Sequence, residues 1–574
     1  MIFEPEFLTN KNIPLFEYPR PQLKRDSYFC LNGIWDYKIL KENSLLKQGK
    51  INVPYSPECE LSGVLTQLKK DQTLIYERNF TLPSDFNKGV VLLNFGACDQ
   101  VTKVYLNDKF VGENQGGYLP FSFDITPFLK EENLLRVEVI DDAGSPIYGR
   151  GKQSYKRGGI WYTATSGIWQ TVFIESVPTN YIKSIKLLPN YDDKTLSVTV
   201  NAIGENKNFK VEIVDNGEVI ALGSGENNVV LDVSNCKPWS VDCPELYKIY
   251  VYLGNDKIES YFGLRKFSVI EKNGVKLFAL NNKPIFHNGL LDQGYFNKGL
   301  YTPQSNQAMY NEIKAVKDLN FNMLRKHIKV EPLLWYYYCD ILGVLVWQDM
   351  INGGEKYKTH RIILAPFINL RLNDKNYKSM GRSQASREQY YKEAYALQDL
   401  LYNSVCVCLY TPFNEAWGQF DCVEVTKKLK QRDGSRLYDH ASGWQDNGGG
   451  DVYSRHIYFR KAKPKNDKKR VLALTEFGGY SLHLKEHSFS DKKFGYKTFK
   501  NKEGLLNAYK NLYINQVIPL IKKQGLSATV YTQLTDVEDE INGIFTFDRV
   551  LKIDKNALEN LNREVIETFD EIYK

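Results

Sequence analysis

Two carboxylates that close apolar runs are the residues of this chain best placed to do chemistry. Val405-Cys406-Val407-Cys408 leads into Leu409-Tyr410-Thr411-Pro412-Phe413 and then turns polar at Asn414-Glu415, with an indole, Trp417, close behind. Val471-Leu472-Ala473-Leu474 leads in the same way to Thr475-Glu476-Phe477-Gly478-Gly479. A carboxyl pair on two strand ends is what retaining glycoside hydrolysis needs, one group as acid/base and the other as nucleophile. An amide such as Asn414 beside the first carboxyl suits a sugar 2-hydroxyl. Each glutamate alone is equally readable as a helix cap or an incidental acid in a turn; it is the pairing that favours chemistry. The glycines after Glu476 allow the backbone to bend tightly there.

Further candidates end other apolar runs. Arg325 and His327 follow Phe321-Asn322-Met323-Leu324, and an arginine beside a nucleophilic carboxylate would keep it ionised. A structural salt bridge at a strand end is the competing reading. Asp349 ends another run, either orienting substrate or serving structure. His456 and Tyr458 end a further one; the tyrosine suits a hydrogen bond to the nucleophile, and the histidine reads as ligand or as a satisfied structural residue. Trp417 and Trp444 are placed to stack on sugar faces or to pack a rim. Asp292, closing the first run, joins the sugar-binding candidates.

The elements that must position these groups follow from periodicity. Beyond residue 270, strand-like runs alternate with helical ones, which predicts parallel βα units. Eight strands are expected: Ile285–Asp292, Phe321–His327, Val344–Met350, Val405–Glu415, Leu437–Trp444, Val452–Tyr458, Val471–Tyr480 and Ser527–Asp536. Helices are expected over Ser305–Leu319, Arg387–Tyr402 and Leu505–Gln524. Eight such units make a (β/α)8 TIM barrel, whose active groups sit at the C-terminal ends of the strands. Glu415 then belongs to the fourth strand and Glu476 to the seventh. Upstream, apolar and polar residues alternate with Gly/Asn/Asp turns, as in Trp35-Asp36-Tyr37 and Val101–Asn107, which predicts an antiparallel jelly roll or sandwich. From 181 to 270 shorter alternating runs predict an immunoglobulin-like β-sandwich, one lacking a Cys pair around a core Trp. The expected division is therefore 1–180, 181–270 and a catalytic barrel over 271–574, since 574 residues are too many for one core.

Composition excludes some classes. A net charge of +7 without a dense basic block argues against nucleic acid. No apolar run is long enough to span a bilayer, and the N-terminus lacks a basic segment followed by an apolar one. The nine cysteines show no metal spacing, and Cys406 and Cys408 alternate within a buried strand as small apolar residues. The expectations are a reducing cytoplasm, no cofactor, no metal, and a carbohydrate as partner, with self-association left open.

At these residues the chain resembles glycoside hydrolase family 2, the β-galactosidase/β-glucuronidase family. The resemblance runs through Leu31-Asn32-Gly33-Ile34-Trp35, Gly117-Tyr118-Leu119-Pro120-Phe121, Ser166-Gly167-Ile168-Trp169-Gln170 and Tyr261-Phe262-Gly263-Leu264-Arg265. It continues through Phe413-Asn414-Glu415-Ala416-Trp417-Gly418 and Thr475-Glu476-Phe477-Gly478. It implies Glu415 as acid/base, Glu476 as nucleophile, Tyr458 as the active-site tyrosine, and Tyr531 in place of the strand-eight tryptophan at the base of the sugar pocket. The His-Glu pair that many members carry after the first strand is absent. The Asn-x-Lys with which glucuronidases hold the sugar carboxylate is replaced by Glu540-Ile541-Asn542-Gly543. The reading is a retaining exo-β-glycosidase, β-galactosidase-like. A β-glucuronidase, β-galacturonidase or β-mannosidase is the alternative, and a non-catalytic carbohydrate-binding protein is the rival from another class.

Overall fold

In a computed structural model the structure describes residues 3–8, 13–355, 372–458 and 460–574. The N-terminal block is a pair of antiparallel sheets. A six-stranded sheet includes Gly33–Lys41, Thr73–Phe80, Asn133–Ile140 and Val101–Leu106, and a four-stranded one includes Val172–Val177 and Val90–Phe95. Strict alternation drives this: in Gly33–Lys41 the side chains of Trp35, Tyr37 and Ile39 point into the core while Ile34 and Asp36 face out. A second sandwich follows, with three strands against four. Tyr247, Ile249, Val251 and Leu253 lie on the inner face of one central strand.

The hairpin Phe267–Lys272/Val275–Leu280 then caps the bottom of a parallel eight-stranded sheet, with Phe278 stacked on His287 at 4.5 Å. That sheet consists of β1 (His287–Asp292), β2 (Met323–Lys326), β3 (Leu345–Asp349), β4 (Val407–Thr411), β5 (Leu437–Tyr438), β6 (Val452–Ile457), β7 (Val471–Gly478) and β8 (Ala528–Thr532). Pairing runs β5-β4-β3-β2-β1-β8-β7-β6, the sheet of a TIM barrel. Between β5 and β6 the joint is the Asp451 N–H on the Tyr438 carbonyl, 2.7 Å, and the Asp451 carboxylate on the Tyr438 N–H, 3.0 Å. A side chain there takes the place of a ladder. The expected fifth strand to Trp444 is therefore only two residues long.

Of the helices, α1 (Asn306–Asp318) is N-capped by Ser305, whose hydroxyl accepts from the Ala308 N–H. The helix α2 (Leu333–Leu342) follows β2, and α3 (Gln384–Leu401) precedes β4. The run expected as one helix over Leu505–Gln524 is α4 (Lys502–Leu512), a π turn at Tyr513–Val517, and α5 (Ile518–Gln524). Pro519 has no N–H to give the preceding turn, which accounts for the change of pitch. All nine cysteines are free, and eight are buried. Among the described residues no helix is long and apolar enough to cross a membrane.

Candidate active site

The C-terminal ends of the barrel strands converge on one hydrogen-bonded cluster. From β2 comes Arg325, fully buried, which holds Asp349 at the end of β3 through two bonds of 3.0 Å. The same guanidinium donates to Glu476 Oε1 at 3.1 Å and to Asn414 Oδ1 at 2.9 Å. Asn414 Oδ1 is thereby engaged, and its NH2 remains a donor. His327 Nδ1 lies 2.6 Å from Asp349. An ionised Asp349 can only accept, so Nδ1 carries the proton and Nε2 is an acceptor. That Nε2 is buried and, among the described residues, without a hydrogen-bond partner. Burial and the Lys152 ammonium push the His327 imidazole below its usual range, against Asp349.

The two glutamates are presented by irregular backbone. Glu415 and Ala416 both have positive φ, +51° and +65°, and the Glu415 N–H is anchored to the Ser442 carbonyl at 2.8 Å. Two consecutive left-handed non-glycine residues are a local cost concentrated where the carboxyl is aimed. Glu476 lies on a β-bulge: Leu474 and Phe477 pair with Thr529 and Tyr531, leaving Thr475 and Glu476 opposite the single residue between. Gly478 and Gly479 follow at φ +83° and +66°. A Cβ on either would come within 2.3 Å of the Tyr531 or Tyr496 ring.

Both carboxyls meet at His456. Its Nδ1 lies 2.8 Å from Glu415 Oε1 and 3.5 Å from Glu476 Oε2, and its Nε2 lies 2.9 Å from Ser442 Oγ. Ser442 donates onward to Thr475 Oγ1 at 3.0 Å, so its oxygen accepts from His456 Nε2–H. Nδ1 and Glu415 then share a single proton between them. Tyr458 donates to Glu476 Oε2 and lies 3.1 Å from Thr532 Oγ1. Burial would raise the Glu476 carboxyl, but His456, Arg325 and Lys152 outweigh it and hold it at about 2. Burial, seconded by Glu476, drives the Tyr458 phenol far above its usual range, which keeps it a donor.

Glu415, His456 and Glu476 each offer an atom within 4.8 Å of the others, the spacing of a metal triad. Arg325 and Tyr458 each already donate to one oxygen of Glu476.

Of the residues expected from sequence, Glu415, Glu476, Asn414, Arg325, His327, Asp349, His456 and Tyr458 come together here. Trp444 packs edge-on to His456 at 5.7 Å. Trp417 meets Trp161 of the N-terminal block at 5.4 Å and 90°. Asp292 does not reach the cluster: its carboxylate is bound by Lys326 Nζ at 2.6 Å and the Gly294 N–H at 2.7 Å. Tyr531 does not line the pocket either. Its ring faces outward onto Phe477, Tyr480 and Tyr509 of α4, and the aromatic floor is instead Tyr458 stacked on Tyr496 at 3.9 Å. The sequence reading missed Ser442, Thr475, Thr532, Tyr496 and Trp161. The Gly158-Gly159-Ile160-Trp161-Tyr162 run was the one available signal, an aromatic pair after a flexible glycine pair.

The model for glycosyl hydrolases family 2, sugar binding domain, matches residues 31–178, and that for glycosyl hydrolases family 2 matches 171–265. A beta-glucuronidase of Formosa agariphila is 28% identical over 37% of this chain, and a beta-galactosidase of Thermoanaerobacterium thermosulfurigenes is 28% identical over 54%. The matches cover 26% and 44% of those relatives' own lengths. In fold, the chain is similar to a beta-D-glucuronidase of Dictyoglomus thermophilum, with a TM-score of 0.74 at 17% identity over 95% of this chain and 98% of the other. It is also similar to a beta-galacturonidase from Eisenbergiella tayi, with a TM-score of 0.70 at 17% identity over 94% and 97%.

Proposed function

We propose, from the premise that the chain belongs to glycoside hydrolase family 2, that it is a retaining exo-β-glycosidase working by double displacement. The observation that carries the reading is the closeness of the two carboxyls, with oxygens of Glu415 and Glu476 within 4.8 Å. Retaining enzymes hold the pair about 5–5.5 Å apart, whereas inverting ones need about 6.5–9.5 Å to admit a water. Glu476, ionised and oriented by Arg325 and Tyr458, attacks the anomeric carbon. Glu415 gives its proton to the departing oxygen. Water, deprotonated by Glu415, then releases the sugar from Glu476 and restores both groups. His456 Nδ1, 2.8 Å from Glu415 Oε1, orients that carboxyl and shares its proton. The NH2 of Asn414 suits the 2-hydroxyl, and His327 Nε2 suits a further hydroxyl donor. The first assignment of the sugar is β-galactosidase-like, acting on a non-reducing terminal residue.

The test is a 2-deoxy-2-fluoro β-galactoside with a good leaving group. Fluorine destabilises the oxocarbenium-like transition states, and the leaving group restores only the first step, so the intermediate accumulates. The label is expected on the peptide holding Glu476, and proton NMR of an ordinary substrate is expected to show β-sugar released first. A label on Glu415, or α-sugar first, overturns the mechanism.

A further inference from the structure

A cavity of about 290 Å³ lies where the N-terminal block, the second sandwich and the barrel meet. All three supply its walls: the segment 19–23 and the end of the strand Val90–Phe95, Ser184 and Ile185 of the sandwich, and the end of α3 with residues 330–333, where the chain has left β2. None of the residues clustered at the mouth of the barrel lines it.

Side-chain amides tie these walls together. Gln22 Nε2 donates to the Asn403 carbonyl at 2.6 Å, and Gln170 Nε2 donates to the Val330 carbonyl at 3.2 Å. Asn94 Nδ2 donates to the Leu92 carbonyl at 3.0 Å. Only the nitrogen of an amide can donate to a carbonyl, so these bonds also fix which end of each side chain is the oxygen. Gln22, Asn94 and Gln170 are exposed by only 8, 4 and 7%, and among the described residues none of their three oxygens accepts a hydrogen bond. Gly96 leaves room beside one of them: a Cβ there would stand 2.7 Å from Gln170 Cβ and 3.0 Å from its oxygen. A fourth polar group, Arg20 Nε, is buried and also lacks a partner among the described residues. Buried polar atoms left unpaired are a cost that a ligand of matching chemistry would remove.

The lining has no spare charge. Arg20 is paired with Glu175, Glu331 with Lys326 and Lys329 at 2.7 and 2.8 Å, and Asp399 with Lys186 at 2.9 Å. An ionic ligand would have to break one of these pairs or enter uncompensated. Three acceptors and one donor call instead for a neutral molecule with several hydroxyls, since each hydroxyl can both give and take a hydrogen bond. Phe121, stacked on Phe95 at 4.8 Å, adds a flat apolar face to the wall. Small-molecule sites start at roughly 300 Å³, so the ligand is a small one. A single pyranose has that size, a rim of hydroxyls and a C–H face.

We propose that this junction cavity is a second, non-catalytic site that binds a neutral hexose, with its C–H face on Phe121 and its hydroxyls on Gln22, Asn94, Gln170 and Arg20. That a hexose is also the class of product released at the mouth rests on the glycosidase reading; the chemistry of the cavity does not.

The experiment is hydrogen–deuterium exchange on the full chain with galactose, glucose, mannose, potassium chloride or inorganic phosphate. With at least one hexose, at about tenfold its calorimetric Kd, exchange is expected to slow about threefold or more in peptides covering 19–23, 93–96 and 330–333. Protection in the peptides holding Glu415 and Glu476 reports the mouth and is read separately. Ser122 lies at an exposed position of the wall. Ser122→Trp is expected to abolish protection at the junction while turnover stays as in wild type, and Ser122→Ala to keep both. Asn94→Leu is expected to weaken the junction site about 10-fold. Thermal melting checks folding, and should Ser122→Trp not fold, Asn94→Leu decides. The proposal is overturned if no hexose protects the junction, if the protection is unchanged in the folded variants, or if potassium or phosphate protects as well as a hexose, which would make it an ion site. Junction protection without labelling of Glu476 by a fluoroglycoside would remove the glycosidase reading and keep this site; labelling without junction protection would do the reverse.

Discussion

Two clusters of buried carboxyls, one at the barrel mouth and one in the N-terminal block, are built from the same residue types and behave in opposite ways. At the mouth, Asp349 and Glu476 share Arg325 and are held low, against the upward push of burial. In the N-terminal block, Ser166 Oγ bonds both Glu58 and Asp141 at 2.8 Å, with Asp99 nearby. No lysine, arginine or histidine pairs with those three among the described residues. There burial goes unopposed by any cation and raises Glu58 to about 8 and Asp141 to about 7, with Asp99 also raised. The lesson is that depth alone does not set the charge of a carboxyl; the cations around it decide between an ionised group and a set of neutral hydrogen-bonding acids.

The sharpest break comes from removing the charged group itself. Glu476→Gln is expected to lower kcat by about 10⁴-fold or more with the fold retained, as read by turnover and melting temperature. Glu415→Gln should cost about 10³-fold on substrates with poor leaving groups and far less on activated aryl glycosides. Glu415→Ala should be partly rescued by azide acting as the acceptor. Equal losses on both substrate types would show that Glu415 is not the proton donor.

Arg325→Met turns the mouth into a cluster of the other kind. We expect kcat/KM to fall about 100-fold and stability by about 3–5 kcal/mol, because Asp349 and Glu476 lose the buried guanidinium they share. Glu476 should then rise, so its working ionised form is lost at a higher pH as the solution is acidified. An acid limb of the kcat/KM profile that stays in place would mean that the arginine does not hold the nucleophile ionised.

The smallest effect lies in the N-terminal block. Glu58 and Asp141 have folded values above their ordinary 4.5 and 3.8. Their contribution to stability is full below about pH 4 and is lost as pH rises through 7 and 8. Glu476, at about 2, has the opposite sign, stabilising above 4.5 and losing that contribution as pH falls through about 2. Glu58→Gln with Asp141→Asn should flatten the decline in melting temperature between pH 5 and pH 8 by a few degrees. An unchanged slope would place the protonation elsewhere.

How much of this was readable beforehand depends on the length of sequence each feature occupies. The pair of glutamates was legible because a buried strand and its polar end lie within ten residues or so, and because parallel strands bury both faces as continuous apolar runs. The alternation of eight such runs with helical segments was enough to predict the barrel. Asp292 and Tyr531 were misplaced because a strand end does not say which face a side chain takes. The bulge at Thr475-Glu476 sets the pairing with β8, and a one-residue change of register there exchanges pocket and helix layer.

The sequence by itself determined which residues could be charged, which runs would be strands, and that two glutamates would share one end of the barrel. Only the tertiary structure decided which carboxyl has a cation, that His456 touches both glutamates, and that Trp161 arrives from a separate block. Residues 161 and 417 have no local relation along the chain. They are brought together by backbone hydrogen bonds and close packing between the two blocks, and neither leaves a period or motif in the text of the sequence.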